Sequence, residues 1–412
     1  MLKNYIRMAL KVLARRKFFT FISLFGISLT LLVLMVATAM LDHLFAPHHP
    51  ETRLDRTLGF HTMAMVGDQG RRSGQPGYAY IDRYLRGIDG VERMTVIQQF
   101  SSVTSFHNGR KVKSYLKRTD GEFWKIYDFR FLEGGPFSHA DEENANFVAV
   151  INEATREKFF GEAPAVGKPI ELDGQTFRVV GVVENVPITR LIPFGDVWVP
   201  ISTNKTDAYR RSDWDNFGAV FLARTRADFP RIRQEVDDRV RNSKPAESET
   251  FHSVRGGADT LFETISRVFL GGFAERRSEH LMTILVVLAL LFMLLPAVNL
   301  VNINLSRIME RSSEIGVRKA FGASSRTLVA QFVVENVILT LVGGLVGLIL
   351  SALVLHGLNV SDVIPYSEFG VNLRIFIWGL ALALTFGILS GVYPAWRMSR
   401  LNPVVALRGR SK

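Results

Sequence analysis

The chain predicts a membrane protein of four transmembrane α-helices, with a large α+β extracytoplasmic domain between the first helix and the second. Three observations predict it. Four blocks, Phe18–Leu41, Leu281–Val301, Leu328–Leu355 and Ile375–Trp396, have the length and apolar character to cross about 30 Å of hydrocarbon, which takes roughly 20 residues. Between the first two blocks lies Asp42–His280, a stretch of soluble texture with 33 basic and 34 acidic residues, long enough for a core of its own. The remaining charge is unevenly divided. Residues 1–17 hold Lys3, Arg7, Lys11, Arg15, Arg16 and Lys17 with no acid, and residues 305–327 and 397–412 are also net basic, whereas the connection His356–Leu373 has Asp362 and Glu368 and no base. By the positive-inside rule both termini and residues 305–327 are cytoplasmic, and the large domain and the last connection are outside. The net charge of +11 therefore reports topology in the membrane, and it gives no reason to invoke nucleic acid.

The expected partition is a cytoplasmic amphipathic helix at 1–17, spans at 18–41, 281–303, 328–355 and 374–396, the extracytoplasmic domain at 42–280, a charged cytoplasmic helix at 304–327, an outer loop at 356–373 and a cytoplasmic tail at 397–412. Within residues 1–17, Tyr5, Met8, Leu10 and Leu13 can lie on the inner leaflet while the bases meet headgroups. Ala37-Thr38-Ala39 resembles a signal-peptidase site, but the apolar run before it exceeds the roughly 7–15 residues of a signal-peptide core and reads as an uncleaved anchor. Gly26, Ser28 and Thr30 offer close approach to a neighbouring helix.

In the large domain, Leu41–Pro50 reads as an irregular linker. Its three histidines have no companion carboxylate or cysteine set, so no metal site is expected. Tyr80, Ile81, Tyr84, Leu85 and Ile88 form a helical face ending at Gly90. Val91–Phe100, Lys111–Arg118 and the β-branched Thr176–Val183 read as strands. Asn152 caps a short helix carrying Phe159 and Phe160, which Gly161 stops. A helix after Pro230 sets Ile232, Val236 and Val240 on one face, and Leu261, Phe262, Ile265, Val268 and Phe269 recur at helical intervals near the membrane. The chain has no cysteine, so neither disulfides nor a lipid-anchor thiol can contribute.

The sequence contains no G-x-x-x-x-G-K-[ST], G-x-S-x-G or H-E-x-x-H, and no paired acids in a catalytic setting. No catalytic residue, bound cofactor or metal is expected. The second span carries Pro296, Asn299 and Asn302. Glu335, one turn after Gln331 in the third span, needs a partner, and the nearest bases, Arg326 among them, are in the charged segment. Gly343, Gly344 and Gly347 favour tight helix packing.

The segment Leu305–Thr327 is the most informative. Leu305, Ile308, Ser312 and Ile315 share one helical face, and Arg307–Glu310, Arg311–Glu314 and Glu314–Arg318 have ion-pair spacing worth about 0.2–0.5 kcal/mol each. Gly322 is a natural stop. An ordinary juxtamembrane linker and a docking surface both fit this pattern.

Glu314-Ile315-Gly316-Val317-Arg318-Lys319-Ala320-Phe321-Gly322-Ala323, followed by Glu335 and the glycines of the third span, resembles the signature of the FtsX-like permeases of MacB-type ABC transporters. Tyr393-Pro394-Ala395-Trp396-Arg397 and Asn402–Arg408 are similar to that family's ending. Phe131–Phe137, Val150–Glu153, Phe159–Gly161 and Val179–Val183 are similar to its periplasmic core domain. The resemblance implies a permease dimer, a copy or a paralogue being the second subunit, in the inner membrane with two cytoplasmic ATPases, which would bind the ATP and magnesium. It further implies that ATP-driven motion reaches the exterior domain, with a periplasmic adaptor and outer-membrane channel as further candidate partners. Glu310, Arg311, Glu314, Arg318 and Lys319 would dock on the ATPase, with Ile315, Gly316 and Phe321 setting the fit before Gly322. Only 17 residues precede the first span, so the ATPase is expected on a separate subunit. Efflux of peptides, antibiotics or similar compounds is the first expectation. Lipoprotein extraction or control of an envelope hydrolase fits the same fold, and a membrane-anchored sensor is the alternative from another class.

Overall fold

A computed structural model of the chain describes residues 17–68, 70–107, 109–245, 250–270, 275–310, 324–361 and 363–399, together with residues 7, 11, 13–15, 317 and 321. The chain divides into two compact units, one from Met1–Asp42, Thr283–Ser361 and Phe369–Lys412, the other from His43–Met282 and Asp362–Glu368.

The second unit is built on a mixed sheet. In chain order its elements are β1 (Thr57–Phe60), β2 (Met63–Gly67), β3 (Gly70–Gly74), α2 (Tyr78–Tyr84), β4 (Val91–Gln98), β5 (Ser101–His107), β6 (Arg110–Thr119), α3 (Phe123–Ile126), β7 (Phe131–Gly134), α4 (His139–Glu143), β8 (Val148–Asn152), α5 (Glu153–Phe160), β9 (Pro169–Leu172), β10 (Gln175–Val183), β11 (Val197–Pro200), β12 (Phe217–Ala223), α6 (Phe229–Arg241), β13 (Ser253–Gly256) and α7 (Leu261–Phe269), after the first helix α1 (Lys17–Phe45). Ten of these strands form one sheet in the order β1-β12-β4-β6-β11-β8-β10-β7, with β5 on β6 and β9 on β10, while β13, β2 and β3 form a second. The β8–β10 and β11–β6 pairs are parallel, and α5 with β9 supplies the crossover from β8 to β10.

Burial explains why the central strands read as unbroken apolar runs. Every residue of β12 is buried. Because successive side chains point to opposite faces, Phe217, Ala219, Phe221 and Ala223 enter a core with Tyr80, Ile232, Val236 and Val240. Val220 and Leu222 enter another with Phe123, Phe194 and Trp198. In the same way Trp198 of β11 joins that second core while Val197 and Val199 face a third, around Phe159, Phe177 and Val182. A sheet covered on both faces selects apolar residues at every position.

Asn152 caps α5, its Oδ1 accepting from the Thr155 amide at 2.9 Å, and Gly161 ends it at φ 62°. The helical face expected to reach Ile88 is shorter. α2 ends at Tyr84, because Gly87 turns at φ 68° and its carbonyl accepts from Arg239 at 2.9 Å; Leu85 and Ile88 are buried from the turn instead. The linker expected from Leu41 is helical as far as Phe45.

The first unit contains most of α1 and the helices α8 (Ser278–Glu310), α9 (Ser325–Val360) and α10 (Leu373–Ser399). Among the described residues, two helices have the length and hydropathy to cross a bilayer, Lys17–Phe45 and Val329–Val360, with mean hydropathies of 2.4 and 2.7. Ser278–Phe292 and Leu373–Leu389 are shorter apolar helices, so the described residues do not supply four spans by this measure. Most of the amphipathic helix expected over residues 1–17 lies outside the described residues.

Candidate functional site

Three places bear on function, and the charged segment after α8 is the first. Glu310 is the last residue of α8, whereas Arg311, Glu314, Ile315, Gly316, Arg318, Lys319 and Gly322 lie outside the described residues. Phe321 is described, and its ring is 88% exposed although its amide is bonded to the Val317 carbonyl at 3.1 Å. A bare phenyl forgoes about 1.5–3 kcal/mol of burial. Just beyond, Ser324 caps α9 by accepting from the Thr327 amide at 3.2 Å.

The second place is the face of α9 within the first unit. A Cβ on Gly343 would lie 2.9 Å from Ile27 of α1, and one on Gly347 would lie 3.0 Å from the Ser28 carbonyl oxygen. On Gly344 it would meet Leu380 of α10 at 2.6 Å. These glycines let three helix backbones approach more closely than any side chain allows. Polar groups line the same contacts: Gln331 donates to Glu335 at 3.0 Å, both buried, and Asn336 donates to the Gly387 carbonyl of α10 at 3.2 Å. In an apolar medium each such bond spares a group from going unsatisfied.

The third place was not singled out by sequence reasoning. Asp196, buried in the extracytoplasmic unit, accepts from the Tyr115 amide at 2.9 Å, from Asn152 Nδ2 at 3.0 Å and from the Tyr366 hydroxyl at 3.2 Å. Tyr366 belongs to the short connection between α9 and α10, yet it packs on the core that contains Phe194 and Trp198. Beside it the Pro365 carbonyl accepts from the Ile188 amide at 3.3 Å. Tyr366 holds φ 59°, a conformation a bulky residue adopts only when its surroundings enforce it. No sequence signal marks this tyrosine, because the contact joins residues 170 apart.

Nearby, Arg190 donates to Glu51 at 3.2 Å and to the Ala46 carbonyl at 2.9 Å, and both ionic side chains are buried. Burial raises the Glu51 carboxyl, opposed by Arg190. Lys117 is fully buried, its Nζ 5.7 Å from the Phe100 ring centroid, and burial brings its ammonium down to about 7 against the opposing pull of Glu51. Glu51, Arg190 and Lys117 thus form an internal electrostatic cluster, tied to the chain just after α1 by the Arg190–Ala46 bond.

The model of the MacB-like periplasmic core domain matches residues 20–239, and the model of the FtsX-like permease C-terminal region matches residues 286–403. The chain is 28% identical over 298 residues to the pyoverdine export ATP-binding/permease protein PvdT of Pseudomonas syringae pv. syringae, covering 71% of this chain and 42% of that protein. It is 29% identical over 314 residues to the macrolide export ATP-binding/permease protein MacB of Wolinella succinogenes, covering 74% and 45%. It is 22% identical over 324 residues to the uncharacterized ABC transporter permease YknZ of Bacillus subtilis, covering 79% and 77%. The chain thus spans less than half the length of PvdT and MacB.

Proposed function

The chain belongs to the FtsX-like permeases with a MacB-like periplasmic core domain, inner-membrane permeases of ABC transporters, and on that premise we propose that it transmits the motion of an ABC ATPase to its own periplasmic domain. In this reading all four apolar helices cross the membrane and both termini are cytoplasmic. The chain itself hydrolyses nothing. A pair of permeases, identical or paralogous, works with two ATPases to drive efflux of peptides, antibiotics or similar compounds.

The observation that carries the reading is the docking of residues 363–368 in the extracytoplasmic unit. That unit is held by α1, by α8 and, through Pro365 and Tyr366, by the connection between α9 and α10. A displacement of any of these helices therefore pulls on the domain through covalent chain. The exposed Phe321, in a segment flanked by bases and acids, supports the ATPase as the other end of the linkage.

Affinity purification of the tagged chain in mild detergent tests this, with the bound subunits identified. We expect an ABC ATPase to copurify with the native chain and to fall at least tenfold with the Glu314→Lys, Arg318→Glu double variant, which should still insert. Absence of an ATPase across several detergents would contradict the reading, and so would undiminished copurification with normal export by the double variant.

A further inference from the structure

Helix α7 turns polar residues inward and the end of its apolar stripe outward. Its residues Leu261, Phe262, Ile265, Val268 and Phe269 fall on one stripe at helical spacing. In α6 of the same unit the comparable stripe, Ile232, Val236 and Val240, is buried. In α7 the buried residues are Ser266 and Arg267, while Val268 is 37% exposed and Phe269 76%. Inward-facing Arg267 is satisfied by a two-point bond to Asp259, at 2.6 and 3.2 Å, and Arg276 adds a bond to the same carboxylate at 2.7 Å. The polar face has its partners inside the protein; of the apolar face, Leu261, Phe262 and Ile265 are half-buried and Val268 and Phe269 are left exposed.

Its place in the chain indicates what covers that face. Phe262 meets Phe45, the last residue of α1, edge to face at 5.4 Å between ring centroids. Phe45 is four residues beyond the apolar block that ends at Leu41, which is about 6 Å of helix. The polar layer on each side of the hydrocarbon is also about 6–7 Å deep. On its other side α7 is followed within nine residues by Ser278, the start of apolar helix α8. The helix is thus tied at both ends to segments at the outer surface of the membrane.

We propose that α7 is an interfacial anchor whose apolar face, with Val268 and Phe269 foremost, lies in the headgroup–acyl boundary of the outer leaflet. The partner is a lipid surface, and burial of an amphipathic face at that depth holds the domain's base at a fixed height on the bilayer.

The native chain has no cysteine, so a single nitroxide label can be placed at Phe269→Cys, at Val268→Cys and, as a control on the exposed face of β9, at Glu171→Cys. The full chain is reconstituted in phosphatidylethanolamine–phosphatidylglycerol vesicles, and collision of each label with oxygen and with a water-soluble nickel chelate is measured. The expected result is a several-fold higher oxygen-to-nickel ratio at positions 268 and 269 than at 171. Ratios equal to that of the control would overturn the proposal. Spin–spin broadening at 269 that disappears on dilution with unlabelled chain would also overturn it, assigning the face to a second copy.

Discussion

At the residue scale, half-buried Tyr366 and fully buried Lys117 give quantitative tests. Tyr366→Phe keeps the ring against its core but removes the hydroxyl that donates to Asp196 at 3.2 Å. It should cost about 1 kcal/mol, and Tyr366→Ala about 2 kcal/mol or more, read as lowered thermal midpoints of the solubilised chain. Lys117 carries a pH signature. Its ammonium titrates at about 7 in the folded chain against 10.5 for a free lysine, so between these values the unfolded state binds more protons. Stability from this group should therefore rise with pH, by about 1.4 kcal/mol per unit from about 7 to 10.5, with the full penalty present below 7. Lys117→Met should accordingly stabilise the protein more at pH 6 than at pH 9, and an equal gain at both would remove the assignment. Neither residue announces itself in the sequence: Lys117 sits in an ordinary strand pattern, and Tyr366 in a loop with no periodicity. Their roles depend on contacts 66 to 170 residues away, to Glu51 and to Asp196. Asn152 is the contrast. Its capping role was legible because it is local, while its second bond, to Asp196, was not.

At the scale of elements, legibility followed periodicity. The strand over Thr176–Val183 and the α6 face at Ile232, Val236 and Val240 are present as their patterns suggest, since side-chain alternation and helical spacing act within one segment. The orientation of α7 escaped because periodicity fixes which residues share a face and says nothing of which face turns inward. The glycines of α9 make a sharper test of packing than of propensity. Gly343→Leu would drive its side chain into Ile27 of α1 and should lower the thermal midpoint markedly, by the equivalent of about 2 kcal/mol or more. Gly357→Ala, with nothing within 4 Å of the added methyl, should be neutral or stabilising by up to about 1 kcal/mol. Similar losses from both would mean that α9 does not pack as described.

At the scale of the whole molecule, the order of the chain carries the mechanism. An extracytoplasmic unit inserted after α1 and before α8, and entered again between α9 and α10, has no free end; each connection leads back to an apolar helix. Hydropathy and charge outlined that plan, whereas the re-entry of residues 363–368 required the folded chain, because two backbone and side-chain bonds decide it. In the proposed mechanism, motion delivered near Phe321 reaches the domain through these connections, with no substrate path through the membrane. The most direct measurement uses a spin label at Glu171→Cys, one on each permease of the purified complex with its ATPase. The inter-label distance is read without nucleotide and after trapping with ATP and vanadate. The account predicts a distance change on trapping that is abolished by the Glu314→Lys, Arg318→Glu variant together with export. One unchanged distance in all nucleotide states, while export proceeds normally, would contradict it.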